Sequence, residues 1–146
     1  MVDQNTFIST NDEQQAAEFV RSQAALRGVS AEFKTAVILG SGLGAAGDRA
    51  EDLGGIVVRY DQIPHLPCPA VHGHAGRLIL GTGELSGTLL LQGRVHLYEG
   101  HSLERATFAV RVLQQLGVRN LLVTNAAGGI NDVFRVGDLM LLNGHW

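Results

Sequence analysis

The sequence lacks the features that mark secreted, membrane-spanning and nucleic-acid-binding proteins. Its one cysteine, Cys68, leaves no disulfide framework and no cysteine-based zinc cluster, which predicts a reducing compartment, the cytoplasm. No apolar run approaches the roughly 18 residues that span a bilayer, and the first residues show no basic region followed by an apolar core. A net charge of −3 argues against a basic face for phosphate backbones. We therefore expect no membrane partner and no nucleic-acid partner.

Glycine, in contrast, is abundant, with 19 of 146 residues, about twice the usual share. Short apolar runs end in glycine-rich loops and alternate with helical patterns, which is typical of an α/β sheet covered on both faces. These runs predict strands at residues 35–39, 56–58, 77–80, 88–91, 120–124 and 139–142. The sequence thus predicts an α/β fold with a mixed, mainly parallel central sheet flanked by helices, in a single domain over residues 1–146.

Caps and periodicity predict two helices. Thr10 and Glu13 fit a capping box at the start of a helix that Gly28 can end. Ser102 is a good N-cap for the second helix. The apolar stripe of that helix is predicted to be Leu103, Ala106, Ala109, Val110, Leu113 and Leu116, ending at Gly117. The run 120–124 that follows has the continuous apolar character of a strand buried on both faces.

The first candidate site is the glycine loop Gly40-Ser41-Gly42-Leu43-Gly44 after an apolar strand. Its glycines let backbone N–H groups approach an anion, and Ser41 adds a hydroxyl donor. The spacing Gly40-x-Gly42-x-x-Ala45, with Asp61 about 20 residues on, also satisfies the dinucleotide-binding fingerprint. A bare turn without a ligand is the third interpretation of this loop.

The second candidate is the segment 93–100, in which Arg94, His96 and Tyr98 alternate and would project to the same side of an extended chain. A guanidinium, an imidazole and a phenol beside the carboxylate of Glu99 suit a phosphate next to a sugar. A solvated strand edge with alternating polar residues is the competing interpretation.

Two further segments carry polar or small residues in loops. Thr124 to Gly129 lies at the carboxyl end of the strand 120–124, where ligands of open α/β sheets bind, although tight packing explains small residues equally well. His72 and His74 lie two apart, but no third ligand matches their pattern, so we expect no metal site and favour an anion contact.

The three main segments occur together and in one order: Val37 to Gly44, then Gly73 to Leu78 with Gln92 to Gly100, then Val123 to Gly129. This set closely resembles the N-terminal half of purine nucleoside phosphorylases of the trimeric, inosine/guanosine-preferring class. The similarity runs from about Thr35 to His145 and favours a phosphorylase over a dinucleotide-binding domain. The resemblance implies a homo-oligomeric transferase that cleaves purine (deoxy)ribonucleosides with inorganic phosphate, giving the base and (deoxy)ribose 1-phosphate.

The resemblance also implies roles for individual residues. Ser41, His74, Arg94, His96 and the backbone N–H of Ala126 resemble the family's phosphate ligands. Tyr98 resembles the residue that faces the ribose, and Asn125 flanks the phosphate and the base. Glu99, which orients Arg94 and the phosphate, is expected to be catalytic together with His96. Phosphate is a co-substrate of this reaction, and the resemblance implies no metal and no organic cofactor.

Family members continue for roughly as many residues again, and that second half holds the groups that grip the purine. We therefore expect this chain to be incomplete, with a phosphate and ribose site and little of a base site. An inactive remnant that at most binds phosphate is the alternative from a different functional class. Strand edges rich in Leu and Val are expected to make the isolated chain poorly soluble or oligomeric, and inactive.

Overall fold

The structure is a computed structural model that describes residues 9–70 and 75–144. Three α-helices lie at Thr10–Leu26 (α1), Gly44–Asp52 (α2) and Leu103–Gln115 (α3) in this part of the chain. Its strands are Thr35–Leu39 (β1), Ile56–Arg59 (β2), Arg77–Leu80 (β3), Thr88–Gln92 (β4) and Asn120–Val123 (β5). None of the helices in the described ranges is long and apolar enough to cross a membrane.

The five strands form one sheet in the order β2-β3-β4-β1-β5. Strand β1 pairs in parallel with both β4 and β5. Strand β3 pairs antiparallel with both β2 and β4. The mixed sheet of an α/β fold is thus confirmed. The parallel half of this sheet is the half that carries the glycine loop.

Helices cover both faces of the sheet because successive side chains of each strand point to opposite faces. On one face, α1 and α3 pack against the larger core cluster, in which Phe108, Leu80 and Leu89 are fully buried. On the other face, Ala50 of α2 packs near Ile79 in the smaller cluster. Fully burying a Leu, Ile or Phe side chain contributes roughly 1.5–3 kcal/mol. Strands β1 to β4 are therefore packed between two helical layers.

The N-cap of helix α1 lies one residue earlier than the sequence predicts. Ser9, not Thr10, is the N-cap, and its backbone N–H donates to Asp12 Oδ2 at 2.9 Å. This bond lowers the pKa of Asp12 below its usual value. Glu13 is instead buried and paired with Arg111 of α3. The predicted Thr10–Glu13 box was wrong because Glu13 is used to join two helices.

The predicted apolar stripe of α3 is also partly wrong. Ser102 is the N-cap as expected, and its Oγ accepts from the N–H of Arg105 at 3.4 Å. Leu103 and Val110, however, are 63% and 39% exposed. The buried face is made by Phe108, Val112, Leu113 and Leu116. The spacing of four between Phe108, Val112 and Leu116 sets this face, and it directs Leu103 and Val110 toward solvent.

Strand β5 forms as predicted but is not buried on both faces. Its residues are exposed, with Leu122 at 52%, because β5 pairs with β1 along one edge and lies at the end of the sheet. The predicted strand at 139–142 does not form, and Leu139 is 97% exposed. An apolar run becomes a strand only where a neighbouring strand satisfies its backbone groups. Within the described residues, no strand pairs with 139–142.

Candidate functional site

Three parallel strands end together at one edge of the sheet. Strand β1 lies between β4 and β5, and the pairs Leu39–Gln92 and Ile38–Val123 show that the three strands end nearly level. The segments that follow them are 40–44, 93–100 and 124–129, which are the three segments singled out in the sequence. Open α/β sheets bind ligands at this carboxyl edge. The fold therefore brings the candidate segments together although they are far apart in sequence.

Thr124 joins two of these segments by hydrogen bonds. Its hydroxyl donates to the carbonyl of Ile38 at 3.0 Å and accepts from the N–H of Gly40 at 2.9 Å. Its own N–H also donates to Ile38 at 3.0 Å. The end of β5 is thereby fixed to the point where β1 enters the glycine loop.

Gly40 is required here by close approach of two backbones. A Cβ at this position would lie 2.3 Å from the carbonyl oxygen of Thr124 and 2.9 Å from Cα of Asn125. Contacts below 3 Å need the backbone itself to move. In addition, Gly42 has a φ of +84°, which an L side chain rarely adopts. The loop thus uses glycine for two separate steric reasons.

Arg94 connects the third segment to the same point. Its Nη1 donates to the carbonyl oxygen of Thr124 at 3.0 Å, and the side chain is half-buried. A guanidinium is a rigid planar fork that always carries its charge. Positive charge is therefore held beside the glycine loop and the end of β5.

Tyr60 supports the backbone in front of Arg94. Its ring is buried, and its hydroxyl donates to the carbonyl of Gly93 at 2.8 Å. Burial raises the pKa of the Tyr60 hydroxyl well above its ordinary value, which keeps the group protonated as a donor. Gly93 has a φ of +116°, and the chain turns out of β4 at this residue. Tyr60 thus fixes the turn that directs Arg94 to the sheet edge.

Glu99 organises the segment around it through backbone N–H groups. Its carboxylate accepts from Ala70 at 2.8 Å and from His96 at 2.7 Å. These bonds hold the pKa of Glu99 below its usual value, and the bond from Ala70 has the largest effect. Electrostatic attraction to His101 and His96 lowers this pKa further. The carboxylate is therefore ionised over the physiological range. Its predicted role in orienting Arg94 and the phosphate stays a prediction.

The segment 93–100 is not extended throughout, so the predicted alternation of side chains was wrong for its second half. Residues Leu97–Glu99 form a 3₁₀ turn, which the bond between Glu99 and the His96 N–H closes. His96 and Tyr98 nevertheless remain neighbours, because their rings stack with centroids 4.8 Å apart and planes 11° from parallel. Tyr98 is 75% exposed and presents its ring to solvent beside the site.

The remaining candidate residues either follow the same ends of the strands or lie outside the described residues. Ser41 is an exposed residue in the glycine loop, and Asn125 and Ala126 are exposed residues directly after Thr124. His74 lies outside the described residues, as does His72. Contact of Ser41, Asn125 or Ala126 with a ligand remains a prediction. Among residues 9–70 and 75–144, no group of three or more His, Cys, Asp or Glu side chains could hold a metal ion.

The dinucleotide interpretation does not agree with the sheet. Such domains place their acidic residue near the end of a strand that neighbours the glycine-loop strand. Asp61 instead follows β2, at the far end of the sheet from β1, and pairs with Arg59 at 2.6 Å. This alternative was therefore wrong, since spacing along the chain does not determine strand order.

Three residues that organise the site were given no role from the sequence: Thr124, Tyr60 and Gln92. Thr124 and Gln92 each carry a signal, because each is a polar residue closing an otherwise apolar strand. Tyr60 carries none, since its partner is a backbone carbonyl 33 residues away. Contacts to backbone atoms leave no pattern in the sequence.

Comparison with known proteins places these features in a family. The phosphorylase superfamily model matches residues 34–146. The chain is 51% identical over 112 residues to purine nucleoside phosphorylase 1 of Bacillus subtilis, covering 77% of this chain and 41% of that protein. It is 46% identical over 134 residues to the purine nucleoside phosphorylase of Rattus norvegicus, covering 92% of this chain and 44% of that protein.

A solved structure shows the same likeness. Isoform 2 of purine nucleoside phosphorylase from Schistosoma mansoni, in complex with cytosine and ribose-1-phosphate, matches 90% of this chain and 44% of its own with a TM-score of 0.74 and 35% identity. The chain thus spans less than half the length of these relatives. The resemblance seen in the motifs is confirmed, and the match over residues 34–146 shows that the chain belongs to the phosphorylase superfamily.

Proposed function

We propose that this chain carries the phosphate- and ribose-binding part of a purine nucleoside phosphorylase. The reaction is the phosphorolysis of a purine (deoxy)ribonucleoside to the free base and (deoxy)ribose 1-phosphate. The names of its relatives support this function, and a relative was solved with ribose-1-phosphate bound. The alternative of a non-enzymatic remnant is not favoured by these likenesses.

The observation that carries the proposal is the junction at Thr124. The N–H of Gly40 and the guanidinium of Arg94 both bond to this residue, at 2.9 Å and 3.0 Å. A glycine loop that opens a helix and an arginine are the two groups that proteins use most for phosphate. Their meeting at the carboxyl edge of the sheet supports an anion-binding corner there.

The chemistry requires an anion at this corner. As the bond from the ribose C1′ to the purine nitrogen breaks, the ribose ring gains oxocarbenium character. An oxygen of hydrogen phosphate then forms the new bond to C1′, the departing purine takes the electron pair of the broken bond, and the proton that hydrogen phosphate gives up ends on the purine. A dianion held against C1′ is at once nucleophile and counter-charge, so fixing it lowers the barrier.

The residues divide this work according to their chemistry. Ser41, Arg94, His96, His74 and the N–H of Ala126 hold the phosphate oxygens in the proposed complex. Glu99 orients Arg94 and the phosphate, and the bond that its carboxylate accepts from the His96 N–H fixes the position of His96. Tyr98 packs against the ribose, and Asn125 lies between the phosphate and the base.

We further propose that the reaction uses no metal and no organic cofactor, because phosphate supplies both nucleophile and counter-charge. The single cysteine supports a cytoplasmic location. The protein that contains this chain is proposed to be a homo-oligomer, a trimer by its resemblance to that class. The exposed apolar side chains of strand β5 support this proposal, because another surface is expected to cover them in the assembled protein.

Phosphate binding is the first test. Calorimetric titration of the 146-residue chain with inorganic phosphate is expected to show saturable binding that Ser41→Ala weakens, with sodium chloride as the control titrant. A chimaera that adds the remaining C-terminal part of the Bacillus subtilis relative tests the reaction. It is expected to release hypoxanthine from inosine only when phosphate is present. Release without phosphate, or absence of saturable phosphate binding, would contradict the proposal.

A further inference from the structure

Gln92 is a buried polar side chain at the end of β4, only 5% exposed, and it directly precedes Gly93 and Arg94. Its Nε2 donates to the carbonyl of Gly44 at 2.7 Å and to Asp48 Oδ1 at 3.0 Å. A buried amide is costly unless its polar atoms are paired. The position therefore demands a specific set of partners.

The partners of Gln92 belong to the glycine loop and the helix behind it. Gly44 is the last residue of the loop and the first of α2, and Asp48 lies one turn further along that helix. Gly47 of the same helix packs directly on the amide, since a Cβ there would lie 2.8 Å from Gln92 Cδ. The side chain thus bridges the strand that leads to Arg94 and the loop that contains Ser41.

Arg77 fixes the direction in which the amide points. Its Nε donates to Gln92 Oε1 at 2.6 Å from the facing position on β3. The rest of its guanidinium pairs with Glu51 at 2.7 Å and with Asp48. A flipped amide would place its oxygen against the Gly44 carbonyl and the Asp48 carboxylate. Only one orientation of the amide therefore satisfies these contacts. The position requires a side chain that has both a donor and an acceptor.

We propose that Gln92 is a positioning residue that holds the glycine loop at a fixed distance from Arg94, so that phosphate meets a preformed site. The role rests on the proposed function. A phosphate bound between a loop and an arginine loses affinity when either group must be ordered on binding. Gln92 removes that cost because its backbone leads into one group and its side chain holds the other.

Gln92→Glu is the decisive variant, because it keeps the shape, removes the donor and sets a carboxylate against Gly44 and Asp48. We expect at least about tenfold weaker binding of inorganic phosphate by calorimetry. Amide hydrogen exchange is expected to become faster in residues 40–46 while the rest of the sheet keeps its protection. Gln114→Glu, the same change at an exposed position on α3, is the matched control and should change neither quantity.

The double variant Asp48→Asn with Gln92→Glu restores one donor–acceptor pair. It is expected to recover part of both the protection and the phosphate affinity, and it provides the readout if the single variant does not fold. Exchange in residues 40–46 and phosphate affinity within twofold of the wild type in Gln92→Glu would overturn the proposal. Loss of cooperative folding in both variants would also overturn it, because Gln92 would then serve general stability.

The two proposals can fail separately. If the wild-type chain binds no phosphate but Gln92→Glu still loosens residues 40–46, the phosphorylase proposal fails and the structural action of Gln92 on the loop stands. If the wild type binds phosphate and the variant binds it equally well, the proposed function stands and the role of Gln92 is overturned.

Discussion

Replacing Arg94 with lysine tests the anion site at the group that carries its charge. In the structure one corner of the guanidinium is already bonded to the Thr124 carbonyl at 3.0 Å. A lysine ammonium keeps the charge but is a point donor, so it cannot hold Thr124 and two phosphate oxygens in a fixed plane. Losing one charge-assisted hydrogen bond costs about 1.5–3 kcal/mol. This corresponds to about 10- to 150-fold weaker phosphate binding.

The assay is calorimetric titration of wild type and Arg94→Lys with inorganic phosphate, followed by hypoxanthine release in the chimaera described above. Arg119→Lys, the same change at an exposed position before β5, is the control. We expect the control to bind phosphate as the wild type does. Phosphate affinity of Arg94→Lys within twofold of the wild type would refute the bidentate role.

Four further perturbations follow from individual contacts. Tyr60→Phe leaves the Gly93 carbonyl buried without its donor and should lower the free energy of unfolding in urea by about 1–3 kcal/mol. Gly40→Ala places a methyl group 2.3 Å from a backbone oxygen and should destabilise the fold by about 1–3 kcal/mol. The pKa of Glu99 is lowered in the fold, so its stabilisation is present above its ordinary pKa and is lost as the pH falls through the lowered value; Glu99→Gln should flatten that acid limb of the unfolding curve. Leu122→Lys places a charge on the exposed strand β5 and should reduce self-association measured by light scattering.

Each of these variants has a matched control at an exposed position. Tyr98→Phe removes a hydroxyl and should leave the free energy of unfolding unchanged, while Gly144→Ala adds a methyl group where nothing lies within 4 Å. Glu84→Gln should leave the acid limb as it is in the wild type, and Leu26→Lys should leave the association state as it is. Equal effects of a variant and its control would contradict the corresponding contact.

The sequence predicted the strands and loops that follow local rules. Apolar runs marked β1 and β4, and Ser102 marked the start of α3. These features depend on neighbouring residues, whose spacing the chain itself displays. The three motif segments were likewise found from residue types alone.

Features that depend on strand order and on backbone partners could not be predicted. Asp61 has the spacing of a ribose-binding acid, but β2 lies at the far end of the sheet, and only the topology shows this. The exposure of Leu122 follows from the place of β5 at the sheet edge. Tyr60 bonds to a backbone carbonyl, which every residue has, and Gln92 bonds to residues between 15 and 48 positions away, so no pattern in the sequence identifies their partners.

Chemical-shift mapping of phosphate binding tests the convergent anion site most directly. The ¹⁵N-labelled chain is titrated with inorganic phosphate, and backbone amide and arginine Nε signals are followed. The amides of Ser41 and Ala126 and the Nε signal of Arg94 are expected to shift together, with one dissociation constant. Shifts confined to the start of α3 near Ser102, or no saturable shifts at all, would contradict a phosphate site at the carboxyl edge of β1, β4 and β5.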